Sequence, residues 1–193
     1  MSQPPPTTQS ILRHWREAVP NDRLAHLIKD ATRALVRALQ MRLAEHGVSF
    51  GHWAFLRILW EGDGLTQREL SEQAGVMEPT TYSALKAMER LGYIRRRQRG
   101  GDRKRVYVFL TTKGYALRNR LVPLAEDVNS IAIKGVPAAD VAATRDALLA
   151  LIENMAQDER NADMRMPSTR ELARLKAGGR KRPRSRIRAQ RLK

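Results

Sequence analysis

The sequence predicts a mainly α protein with a small antiparallel β hairpin. Three observations carry this. Apolar residues recur at helical spacing over most of the chain. Between Tyr93 and Leu110 the period falls from 3.6 to 2, with β-branched and aromatic residues leading the second run. A short helix, a glycine turn and a second helix come directly before that change of period.

The first helical stripe is Leu24, Leu27, Ile28, Ala31, Leu35, Leu39 and Leu43. Asn21 or Asp22 is placed to cap it, and Gly47 to end it. Residues 1–20 are rich in Pro and polar residues and read as a flexible arm, with Trp15 as a candidate anchor. Trp53, Leu56, Leu59 and Trp60 mark a second helix that stops at Gly62-Asp63-Gly64. Thr66-Gln67-Arg68-Glu69 has capping-box spacing: Thr66 covers the amide of residue 69, and Glu69 reaches back to that of residue 66. Leu70 and Ala74 face inward, and Gly75 turns the chain. Pro79 suits the first turn of the next helix, whose buried stripe is Leu85, Met88 and Leu91. Gly92 ends it.

Tyr93, Ile94 and an arginine run then lead to a Gly100-Gly101-Asp102 tip, and Val106-Tyr107-Val108-Phe109-Leu110 returns as a strand. Thr111 or Thr112 starts a helix carrying Leu117, Leu121, Leu124 and Val128, with Pro123 expected to kink it. Gly135-Val136-Pro137 breaks the chain before a last helix bearing Val141, Leu148, Leu149, Leu151, Ile152 and Met155. A helix-turn-helix followed at once by a basic hairpin describes a winged helix-turn-helix lobe, here joined to a helical dimerisation domain.

Charge names the partner class. The chain of 193 residues holds 36 Lys and Arg against 20 Asp and Glu, a net +16, which points to a polyanion, nucleic acid before an anionic membrane. Residues 166–193 hold 11 basic residues and one acid, Glu171; residues 90–105 hold eight basic residues and one acid, Asp102. The tail at 159–193 has too little apolar content to order itself and reads as disordered.

There are no cysteines, so thiol nucleophiles, iron–sulfur clusters, disulfides and cysteine-based zinc sites are excluded. The four histidines form no H-x-x-x-H or H-x-H pair, no cofactor or metal is expected, and no nucleophile–base–orienter set is present, so an enzyme is not expected. No 18-residue apolar run and no signal peptide are found, and the expected location is the cytoplasm.

Leu65-Thr66-Gln67-Arg68-Glu69-Leu70, Glu78-Pro79-Thr80-Thr81, Met88-Glu89-Arg90-Leu91-Gly92-Tyr93-Ile94, Asp102-Arg103-Lys104 and Leu110-Thr111-Thr112-Lys113-Gly114 together resemble the MarR family of bacterial transcription regulators, over roughly residues 23–158. The resemblance implies a homodimer that represses transcription on palindromic duplex DNA and is released by a small aromatic acid or phenol. Its domain plan is a domain over 21–158, with dimerisation helices at 21–46 and 112–158 and a DNA-binding lobe at 51–111. Met77, Tyr82, Ser83 and Arg99 depart from residues common in the family at or near those positions.

The expected DNA contacts are Gln67 at a helix start, Pro79, Thr80, Thr81, Tyr82, Ser83 and Lys86 on the recognition helix, and Arg95, Arg97, Arg103, Lys104 and Arg105 on the wing. Arg103 matches the family's minor-groove arginine. His52, Trp53, Arg57 and Trp60 lie where the resemblance implies an effector crevice, and an apolar cleft with one Arg or His suits an aromatic acid; core packing is the plain alternative for the two tryptophans. The rival function is nonspecific nucleic-acid binding dominated by the C-terminal tail.

Overall fold

A computed structural model describes residues 7–17, 23–99 and 102–161, excepting the side chains at 99 and 102–104. The chain divides into two units, residues 1–135 and 136–193.

The first unit begins with α1 (Thr8–Glu17) and α2 (Leu24–Ala44). The helix α1 corrects the expectation of a flexible arm at 1–20. Ile11 and Trp15, one turn apart, are its half-buried residues, and Trp15 Nε1 donates to Asp30 Oδ2 of α2 at 3.2 Å. Thr7 starts the helix by accepting from Ser10 N at 3.2 Å. The Pro4-Pro5-Pro6 run dominated the composition of this stretch and hid the short amphipathic segment behind it. A second correction concerns the cap of α2: the N-cap residue is Arg23, with no side-chain cap bond. Asn21 and Asp22 lie outside the described residues.

Next come α3 (Phe50–Glu61), β1 (Leu65–Thr66), α4 (Gln67–Ala74), α5 (Glu78–Arg90), β2 (Ile94–Arg99), β3 (Asp102–Leu110) and α6 (Thr112–Ala132). The expected hairpin is one strand larger. β1 pairs antiparallel with β3, giving the order β1-β3-β2. Two residues are too short to show a period of their own, so sequence patterning could not find β1. The helix α6 runs past Pro123 to Ala132, so Pro123 bends no element boundary into the chain.

The core unites the two ends of this unit. Leu43 of α2, Leu56 and Leu59 of α3, Leu70, Leu85 and Met88 of the helix pair, Ile94 and Val108 of the sheet, and Leu121 of α6 are all fully buried. Arg42 Nη2 meets Asp127 Oδ2 at 3.1 Å, linking α2 to α6.

The second unit contains α7 (Ala138–Asn161), which continues beyond the expected boundary at 158. It buries none of its residues, and Leu148, Leu149, Ile152 and Met155 are exposed along it. The basic tail from 162 onward lies outside the described residues.

Candidate DNA interface and effector crevice

The helix-turn-helix is built by local chemistry. Thr66 Oγ1 accepts from Glu69 N at 3.3 Å, and Glu69 Oε2 accepts from Thr66 N at 2.7 Å, so two amides at the start of α4 are satisfied reciprocally. At the other end Gly75 takes a left-handed φ of 63°, and Val76 N returns to Ser71 O at 3.1 Å. Met77 is the extended N-cap of α5, and Pro79 sits in its first turn, where no intrahelical donor is lost.

The helix α5 has two clear faces. Leu85, Met88 and Thr81 point inward, while Pro79, Thr80, Tyr82, Ser83 and Lys86 are exposed. Thr81 is therefore corrected as a DNA contact. It is 0% exposed, its hydroxyl accepts from Ser71 Oγ at 2.8 Å, and it packs α5 against α4. A residue one position from Thr80 on a helix turns by about 100°, which takes Thr81 from the outer face to the inner one. Ser83 Oγ donates to Pro79 O at 3.0 Å, leaving its lone pairs turned outward. Gln67 is half-buried at the start of α4.

Strand register sorts the arginines of the wing. Arg95 pairs with Phe109 and Arg97 with Tyr107, and both arginines are exposed. Arg96 pairs with Val108, a buried residue, so it lies on the inner face and needs a counter-charge. Glu89 of α5 supplies it. Glu89 Oε2 accepts from Arg96 Nε at 2.9 Å and from Nη2 at 2.6 Å, and Glu89 Oε1 accepts from Arg96 N at 3.1 Å. The Arg96 hydrogen bond holds the Glu89 carboxyl below its ordinary range, against the opposing effect of burial. Arg105 is exposed on β3. Arg103 and Lys104 also lie on β3, with side chains outside those described.

A cavity of about 580 Å³ opens between α3 and α6. Trp53 and Trp60 form its aromatic wall, edge to face at 5.6 Å and 69°. Trp60 Nε1 donates to Gly114 O at 3.0 Å, which fixes that ring. Both tryptophans also belong to the core, so packing and cavity lining coexist in them. Arg57 lines the cavity as expected. His52 does not: it is half-buried outside it, and burial lowers its pKa. On α3 it stands one position from Trp53, which turns it off the lining face.

Sequence reasoning missed Glu61, Arg118, Glu126, Asn129 and Ser130 of the lining. Arg118, Val122, Ala125 and Asn129 recur at helical spacing on α6, and that periodicity was a usable signal. The Glu89–Arg96 pair spans a turn and a change of element and carried none.

The MarR family model matches residues 48–106, which run from the start of α3 through the helix-turn-helix and into the wing. That segment is of the MarR family, and with it the chain carries the DNA-binding winged helix-turn-helix of MarR-family transcription regulators. It is 28% identical over 144 residues to the HTH-type transcriptional regulator TtmR of Methylorubrum extorquens, covering 74% of this chain and 69% of that protein. It is 28% identical over 100 residues to the homoprotocatechuate degradative operon repressor of Escherichia coli, covering 52% of this chain and 68% of that one. Among solved structures, a putative MarR-family regulator from Listeria monocytogenes in complex with a 26mer DNA superposes with a TM-score of 0.65 at 25% identity, covering 76% of this chain and 99% of that one. These relatives are named as regulators and not as enzymes.

Proposed function

We propose that the chain is a homodimeric repressor of palindromic operator DNA, released by a small aromatic or phenolic effector. The observation that carries this reading is the division of α5. Its inner face is sealed into the core, its outer face presents Thr80, Tyr82, Ser83 and Lys86, and Arg95 and Arg97 are exposed on the wing. Hydroxyls and a lysine on one helix face suit base edges and phosphates in a major groove. Pro79 and the half-buried Gln67 flank that surface, and Arg103, Lys104 and Arg105 belong to the strand that returns from the wing tip, where an arginine reaches a narrow minor groove.

Support for the dimer comes from α2 and α7. Leu24, Leu27, Leu35 and Met41 of α2, and Leu148, Leu149, Ile152 and Met155 of α7, are large apolar residues left exposed in a single chain. A twofold dimer would cover them and set two recognition helices one DNA turn apart, about 34 Å. Support for the effector comes from the tryptophan-walled cavity with Arg57 and Arg118, which suits a flat ring bearing a polar group. The name of the Escherichia coli relative, an operon repressor, supports the direction of control.

The test is selection of bound sites from random duplex by the full chain. A two-fold symmetric consensus, a dimer by light scattering, and release of that site by an aromatic acid or phenol that quenches tryptophan fluorescence are the expected results. Binding that follows charge alone and recovers no consensus overturns the reading in favour of a nonspecific nucleic-acid-binding protein.

A further inference from the structure

Arg96 is the inner-face arginine of the wing, and its charge is already spent on Glu89. Both its Nε and its Nη2 donate to Glu89 Oε2. Its side chain is 26% exposed. Its guanidinium also lies 5.9 Å from the centroid of the Tyr82 ring, within cation–π range. Three residues from two elements thus form a chain: Glu89 at the end of α5 holds Arg96 of β2, and Arg96 covers one side of Tyr82 on the outer face of α5.

Tyr82 is 49% exposed, an unusual expenditure of apolar surface on a helix whose other outward residues are small or charged. A free tyrosine side chain would sample several rotamers, and ordering it on binding costs free energy. With Arg96 on one side, the ring is held before any ligand arrives, and about half of the residue stays exposed on the helix side it shares with Lys86, one turn on.

We propose that Tyr82 reads a thymine in each operator half-site through the thymine C5-methyl group, and that Arg96, fixed by Glu89, is the positioning residue that holds the ring for this contact. The chemistry selects thymine: among base edges in the major groove only thymine presents a methyl group, and an apolar ring edge finds no other matching surface there. Arg96 itself makes no phosphate contact, because Glu89 neutralises it. The inference rests on the reading that α5 enters the major groove.

The test starts from the operator selected with the full chain. Each thymine is replaced in turn by uracil, which removes the methyl and keeps O4. One position per half-site should weaken wild-type binding by about fourfold, the value of one buried methyl group. Tyr82→Phe should keep that methyl effect and Tyr82→Ala should abolish it. Arg96→Met and Glu89→Gln should shrink it, read within each variant as the ratio of thymine to uracil operator affinity, so that the charge each variant adds or removes cancels. Replacing Arg96 should also leave the slope of log affinity against log salt unchanged, where a lost phosphate contact would lower it by about 0.9. If Arg96→Met fails to fold by circular dichroism, Glu89→Gln, which preserves side-chain shape, carries the test.

Three results overturn the proposal: a methyl effect that survives Tyr82→Ala, no methyl-sensitive thymine at all, or equal loss of operator and random-duplex affinity in both Arg96→Met and Glu89→Gln. Thr80→Ala and Lys86→Ala separate this failure from failure of the underlying reading. If they alter operator preference while the Tyr82 and Arg96 variants do not, α5 still reads the groove and only the thymine assignment falls. If none of the four alters preference, both fall.

Discussion

Asp63 accepts from the Tyr115 hydroxyl at 2.9 Å through Oδ2, and from Leu110 N at 2.9 Å through Oδ1. One carboxylate beyond the end of α3 thereby ties the last residue of β3 to the first turn of α6. Asp63→Ala leaves the Leu110 amide, in a partly buried position, without its acceptor. The expected loss of stability is about 1–3 kcal/mol. Asp63→Asn keeps an acceptor oxygen and should lose less. Urea unfolding of both variants, with an unchanged m-value, measures this. The same bond raises the Tyr115 pKa, so absorbance titration should show one tyrosine moving back down in Asp63→Asn.

Gly114 marks the closest approach of α6 to the turn before β2. A Cβ there would overlap the Tyr93 carbonyl oxygen and sit 3.0 Å from Leu110 Cδ2. The carbonyl is held in place, because Thr111 N donates to it at 3.0 Å. Gly114→Ala should therefore destabilise the protein by about 2–3 kcal/mol through overpacking. Gly114 O also anchors Trp60, so the unfolding midpoint should fall and native tryptophan emission should shift. Unchanged stability would show that the helix can slide away from Tyr93 at no cost.

These two contacts show what a sequence can and cannot display. The elements from α2 to α7 other than β1 were legible because their stripes and stops are local: the Thr66–Glu69 box, the Gly75 turn and the Thr111 cap, whose side chain accepts from Gly114 N, all act within a few residues. The helix α1 escaped because its two half-buried apolar residues, Ile11 and Trp15, find their role only through packing such as the Trp15–Asp30 contact with α2. At the site, the residue types on α5 were legible, and their facing was not: Thr81 differs from Thr80 by one position and about 100° of turn, which is enough to bury it. Asp63 and Glu89 act across elements, at separations in sequence where no period or motif connects partner to partner.

The Glu89–Arg96 pair predicts a specific acid response. The folded-state pKa of Glu89 is depressed, so the pair's contribution is fully present above the ordinary glutamate range and is lost as pH falls through the lower folded value. Glu89→Gln has no such titration. The stability gap between wild type and Glu89→Gln should be constant at neutral pH and close as pH drops below the ordinary glutamate range. Glu89 is 37% exposed, so solvent screens the pair and the gap should be modest. A gap that stays constant down to strongly acidic pH would show that the ion pair contributes nothing to folding.

The last prediction separates tail from body. Residues 166–193 carry 11 of the 36 basic residues and one acid, with few apolar residues among them. Such a segment can neutralise phosphates and has little with which to read base edges. Each neutralised phosphate adds about 0.9 to the slope of log affinity against log salt. If three to five of those cations engage at once, deletion of 166–193 should flatten the slope by roughly 3–5 per chain. Random-duplex affinity should fall at low salt, and preference for the operator should hold or rise, because α5 and the wing remain. A protein whose tail is the main binding element would instead lose operator and random duplex alike. Affinities for both duplexes at two salt concentrations, with and without residues 166–193, decide between these outcomes. If neither slope nor affinity changes, phosphate contact is not what the tail's charge is for, and the electrostatic argument fails at that segment while the wing and recognition helix stand.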